Sequence, residues 1–175
     1  ESFVRLAIFY ELVTYGELTA GVAVRGKRGR KRMFGRFKKN KPAPAYEGPP
    51  LDPEWARNRD GKFHRLMMLD TKAERLNGQS GVYVIWHSGV KPQWVYVGAS
   101  DNLGHAIDRA AKDDDISSYE VNGGLFVTWS PILKERQGGV LRYLAKAMEP
   151  VVENPAIKDI KDGPINVKVP KRKSG

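Results

Sequence analysis

The chain has 175 residues, of which 41% are hydrophobic, enough for one ordinary domain with extensions. It contains no cysteine, which excludes a disulfide scaffold, a thiolate zinc finger, an iron–sulfur site and a cysteine nucleophile. Thirty Lys and Arg against twenty Asp and Glu leave a net charge of +10. His64, His87 and His105 are far apart and match no ligand motif, so no metal site is read from them. The chain opens on Glu1 rather than Met, as expected of a processed or trimmed product.

Residues 3–24 are rich in apolar groups and lead straight into a positive run, the outline of a membrane span with a stop signal. Ten Leu, Ile, Phe and Val side chains contribute roughly −3 to −6 kcal/mol to insertion, while Glu11 and Glu17 cost about +2.5 to +3.5 kcal/mol each. That balance predicts an amphipathic helix over residues 2–16, packed on this domain or a partner, with a membrane location as the alternative. The positive run comprises Arg25, Lys27, Arg28, Arg30, Lys31, Arg32, Arg36, Lys38, Lys39 and Lys41, with no acidic residue among them. These ten cations equal the whole net excess. A solvated arm of this kind serves nucleic-acid phosphate, an anionic membrane surface or an acidic protein face.

Residues 40–55 carry five prolines, which fix φ and remove backbone donors. They are expected to run extended, as a linker, and to form no interior strand. The expected organisation is an N-terminal helix (1–24), a basic and Pro-rich arm (25–60), a folded domain (61–160) and a basic tail (161–175). Residues 79–160 hold eight Lys and Arg against ten Asp and Glu, so the folded part is near neutral.

Two β-branched and aromatic runs, 81–87 and 94–98, flank Ser88-Gly89-Val90-Lys91-Pro92-Gln93 and predict a hairpin. Ser100 or Asp101 then offers an N-cap for a helix reaching about Lys112, closed by Asp113-Asp114-Asp115. Leu125–Trp129 is the next strand. Val140, Leu141, Leu144, Ala147 and Met148 recur at helical spacing over 133–148, and Pro150 ends that helix. The fold class is α+β, a small three-stranded, mainly antiparallel sheet flanked by helices.

Gly81-Val82-Tyr83, twelve further residues and Tyr96-Val97-Gly98, followed by a helix opening at Leu103, resemble the GIY-YIG nuclease domain over about residues 79–155. The resemblance implies metal-assisted phosphodiester hydrolysis, with Tyr83 and Tyr96 positioning or activating the attacking water. It also implies an arginine on the first helix that stabilises charge on the phosphate, and a glutamate on the second that holds the divalent ion. Those positions carry Ala106 and Leu141, and the next helical turn, where a basic or aromatic residue is expected, carries Ala110. Asn154 falls one residue late for the asparagine that follows the second helix. Arg109 and Glu135 are the nearest candidates for displaced replacements.

The reading is therefore a non-catalytic GIY-YIG-like module, without cofactor or metal, docked into a larger protein or nucleoprotein assembly through its arm and N-terminal helix. Alternatives are a divergent Mg2+-dependent endonuclease using Tyr83, Tyr96, Arg109 and Glu135, a nucleic-acid-binding accessory protein of ribosome or nucleoid type, and a membrane-associated subunit. The expected setting is intracellular, with no compartment assigned. Gly26–Gly29 and Gly123-Gly124 lack the context of a phosphate loop and read as turns. His105 reads as a partly exposed helix residue, and Trp86, Trp94 and Trp129 as sheet packing before a base-stacking platform.

If the arm holds RNA or DNA, affinity for a single strand falls steeply with salt, by about 0.7 logarithmic units per decade for each neutralised phosphate. Replacing the ten cations with Gln is then expected to abolish that dependence in a filter-binding titration. A salt slope unchanged by the replacement would move the contact elsewhere.

Overall fold

The computed structural model describes residues 45–171. In chain order they form β1 (Tyr46–Leu51), β2 (His64–Arg65), β3 (Gly81–His87), β4 (Gln93–Ser100), α1 (Leu103–Ala111), α2 (Asp114–Ser117), β5 (Leu125–Pro131), α3 (Lys134–Met148) and β6 (Ile165–Val167). The helix expected over 2–16 and the cationic run from Arg25 to Lys41 lie outside the described residues. Among the described residues no helix is long and apolar enough to cross a membrane.

The class is α+β, as expected, and the hairpin–helix–strand–helix order from β3 to α3 is present. The main sheet has four strands rather than three, in the order β2-β5-β3-β4, each neighbouring pair antiparallel. The extra strand, β2, is two residues long. Such a strand is too short to show a periodicity, and its register on β5 (His64 opposite Val127, Arg65 opposite Phe126) comes from tertiary packing.

Strand β3 is bonded along both edges, and all seven of its residues are buried. Alternation sends Tyr83 and Ile85 to one face, where they meet Leu103, Ile107 and Ala110 of α1. Val82, Val84 and Trp86 point to the other, against Val140, Leu141, Leu144 and Met148 of α3. The two longer helices therefore cover opposite faces of the sheet. Each fully buried Val, Leu or Ile contributes about 1.5–3 kcal/mol relative to exposure.

Helix α1 is capped by Asn102, not by Ser100 or Asp101: the Asn102 side chain accepts from the His105 amide at 3.2 Å. The Ser100 hydroxyl instead accepts from the Asn102 amide at 3.0 Å and so orients the cap one residue further on. The acidic run does not close α1 either. Asp113 caps α2, its Oδ1 accepting from the amides of Asp115 (3.0 Å) and Ile116 (3.3 Å), and Asp114 and Asp115 occupy that helix's first turn. Carboxylates are favourable there because the amides of a helix start point at them. Helix α3 stops at Met148, where Glu149 turns left-handed (φ 47°) just before Pro150.

Within the Pro-rich segment residues 46–51 are extended, as expected, but they are no free linker. Strand β1 pairs in parallel with β6, through Tyr46 N donating to Pro164 O (3.1 Å) and Lys168 N donating to Leu51 O (2.7 Å). The register shifts between those two points, where Gly48, Pro49 and Pro50 interrupt the ladder. Beyond β1 the chain stays attached: Ala56 N donates to Trp129 O (2.9 Å), and Thr128 Oγ1 donates to Ala56 O (2.8 Å). At the other end Trp55 Nε1 donates to Lys168 O (2.7 Å). Ile165 and Val167 are buried in the α3-side core, so part of the expected tail packs with the domain.

Ile165→Ala tests this attachment. Loss of a buried branched side chain costs about 2–5 kcal/mol, which urea denaturation of the full chain would show as a lowered midpoint. A solvated tail would leave the midpoint unchanged.

Candidate functional site

Tyr83 and Tyr96 come together on the α1 face. Tyr83 lies directly opposite Gly98 across the β3–β4 ladder. A Cβ at Gly98 would collide with the Tyr83 ring, so this glycine leaves the space in which the ring lies across the neighbouring strand. Gly81, at the start of β3, has a similar reason: a Cβ there would collide with the Ser130 carbonyl of β5. Tyr96 reaches the same face by regular alternation, standing opposite Ile85 beside a bulge. Ile85 pairs with Tyr96 but Trp86 pairs with Trp94, which leaves Val95 as the extra residue. Without it Trp94 and Tyr96, two apart, would share a face. Instead Trp94 packs with Trp86 on the α3 side and Tyr96 packs on the core around Tyr83. The two phenol rings have centroids 6.0 Å apart and are tilted by 35°.

Tyr83 is 5% exposed and Tyr96 about half buried. Burial pushes the Tyr83 hydroxyl well above the ordinary phenol range, and the Tyr96 phenol adds to that. Burial raises Tyr96 as well, partly offset by its interaction with the Tyr83 hydroxyl. Arg109 and Asp113 are close enough to act on both phenols, with opposite signs, Arg109 favouring the phenolate and Asp113 opposing it. The product is a pair of neutral hydroxyls that donate and accept hydrogen bonds. A phenolate general base is disfavoured here, because the desolvation of Tyr83 outweighs the pull of Arg109.

Of the other residues singled out by sequence, Arg109 and Asp113 lie near the tyrosine pair. Ala106 packs against the same core, and Ala110 is buried in it. Leu141 is 4% exposed on the opposite face of the sheet, among Val82, Val84 and Val97. Glu135 stands exposed in the first turn of α3, the helix that covers that same opposite face. Asn154 is buried and holds the backbone in place, its Nδ2 donating to Val97 O of β4 (3.0 Å) and its Oδ1 accepting from Ala156 N (3.1 Å). Together with Val151 N to Trp94 O and Val152 N to Val95 O, both 3.0 Å, it covers the outer edge of β4. His105 is exposed on α1, while Trp86 and Trp129 are buried and offer no open stacking face. Among the described residues, no three His, Asp or Glu side chains gather where they would hold a metal ion.

An aromatic and cationic groove beside β2, formed by residues from the 57–69 segment together with Trp86 and Phe126, had no clear signal in the sequence. The only hint was the mixture of Arg, Lys, Phe and His in 57–65, which has neither helical nor strand period. A scan against models of protein families finds no match to this chain, and searches of curated proteins and of solved structures find none either.

The folded chain keeps the buried Tyr83 protonated where the unfolded chain has lost that proton. Stability from this group is therefore intact below about pH 10 and falls as pH rises further, by up to about 1.4 kcal/mol per pH unit. Tyr83→Phe is expected to flatten that alkaline fall in urea-denaturation midpoints. An identical slope in the variant would mean that the hydroxyl ionises freely in the folded chain.

Proposed function

We propose that the chain is a non-catalytic GIY-YIG-like module that serves as a structural or binding subunit of a larger assembly. The observation that carries this reading is the separation of the expected catalytic positions. Tyr83 and Tyr96 sit on the α1 face, whereas position 141 is a leucine sealed into apolar packing on the α3 face. A carboxylate at 141 would be buried among valines, away from the phenols, at a large desolvation cost. The small side chain of Ala106 on α1 supports the same reading, as does the neutral character of the phenol pair.

In the competing reading, a divergent nuclease, Arg109 and Glu135 would converge on the tyrosines. Arg109 meets the requirement electrostatically, but Glu135 belongs to the helix on the other face. The contacts to the assembly are assigned to the apolar segment 1–24 and the cations of 25–41, with RNA, DNA or an acidic protein face as the partner surface. A membrane surface is the remaining option for the same two segments.

Incubation of the full chain with Mg2+ and supercoiled plasmid, single-stranded DNA or RNA is expected to give no cleavage above that of Tyr96→Phe. Metal-dependent cleavage abolished by Tyr96→Phe would overturn the reading in favour of the nuclease.

A further inference from the structure

Four of the six exposed large hydrophobic side chains among the described residues gather at one end of the main sheet. Met67 and Met68 follow β2, Val90 lies in the β3–β4 turn, and Val121 precedes β5. Strand register puts these connections side by side, because Arg65 pairs with Phe126 and His87 with Leu125. The Ser88 hydroxyl also donates to Gly123 O at 3.1 Å, tying the turn to the loop before β5. Met68 is 83% exposed, Val121 87% and Val90 fully exposed. Isolated exposed apolar residues are ordinary, but a cluster of them beside a groove marks an interaction surface.

The groove is about 550 Å³ and runs along the β2 edge. Its wall is aromatic: Phe63 meets Trp86 edge-on at 4.7 Å, and Trp86 stacks on Phe126 at 5.9 Å. Its charged lining consists of Arg57, Lys62 and Arg65 against Asp60. The Arg57 guanidinium sits 3.9 Å over the Phe63 ring and donates to Gly61 O, so it is held in place. Arg65 lies 5.0 Å from the Phe126 ring centre and is fixed by Glu120 at 2.9 Å. His64 also lines the groove, and its Nε2 is the one buried side-chain polar atom among the described residues without a hydrogen-bond partner.

We propose that this groove and its methionine–valine lip dock a protein partner that inserts an apolar side chain flanked by carboxylates. Aromatic residues, Met and Arg are the types enriched at protein interfaces, and arginines held in place beside a pocket are usual anchors. The positive lining selects an acidic flank. Nucleic acid fits less well, since the exposed Val90, Val121 and Met68 offer nothing to phosphate. The docking surface is separate from the tyrosine pair, so it stands whether or not the phenols take part in chemistry.

The test is selection of a random peptide display library on the full chain, followed by titration of the enriched peptides and of an oligouridine against variants. Enriched peptides are expected to share an aromatic or aliphatic residue flanked by Asp or Glu. Their affinity is expected to fall by about tenfold or more in Met68→Glu and in Lys62→Glu, a loss of the order of one anchor contact. Lys161→Glu, away from the groove, is expected to leave it unchanged. Both groove substitutions are at exposed positions, and circular dichroism confirms that the variants fold. Failure to enrich any peptide, or enrichment of peptides that bind the groove variants as well as the original chain, would overturn the proposal. So would oligouridine binding that is lost in the groove variants and exceeds that of every peptide.

Discussion

Strand β3 is the member on which the rest of the structure depends. It is paired on both edges, none of its seven residues is exposed, and each of its faces founds a separate hydrophobic core. A strand in that position tolerates apolar side chains of either parity, which is why Gly-Val-Tyr-Val-Ile-Trp-His reads as a continuous run rather than an alternation. The side to which each residue points then decides its role. Tyr83 is committed to the α1 side, and whatever stands on α3 is committed to the other.

The tyrosine pair results from regular cross-strand register and one glycine. Gly98 leaves a gap in β4 that the Tyr83 ring occupies, and Tyr96, two residues before Gly98 and opposite Ile85, shares that face. A bulge at Val95 then sends Trp94 to the opposite core, where it packs with Trp86 on the α3 side. Electrostatics then limits the pair. With Tyr83 desolvated, and Arg109 opposed by Asp113, the neutral phenols are the favoured state.

Much of the core was legible because its signals are local. The hairpin of β3 and β4, the strand from Leu125 and the helix through Leu141, Leu144 and Met148 declare themselves by period and by turn residues. What was not legible depends on partners distant in sequence. Tyr46–Leu51 looks like a linker because prolines remove donors, yet the donors that remain at Tyr46 and Lys168 suffice to join it to β6. His64–Arg65 has no pattern of its own, and Asn102 prevailed over two equally good neighbouring caps because Ser100 was already bonded to its amide. In the site, Tyr83 and Tyr96 were pointed to by the resemblance to the GIY-YIG motif, and Arg109 as the nearest displaced replacement for the arginine that it implies. That position 141 faces away from them requires knowing which face α3 covers, which spacing does not encode.

The parallel pairing of β1 with β6 joins stretches that lie near the two ends of the described residues. Suppose the chain is pulled from before Tyr46 and from after Val167, as when it is tethered at both ends. Parallel strands held this way slide along one another, so their cross-links are loaded together in shear instead of opening one by one. The bonds at Tyr46 and Lys168, with the Trp55 indole fastened to the Lys168 carbonyl, then act as a mechanical clasp across the folded unit. Tension carried through the folded unit reaches the main sheet only after that clasp has given way.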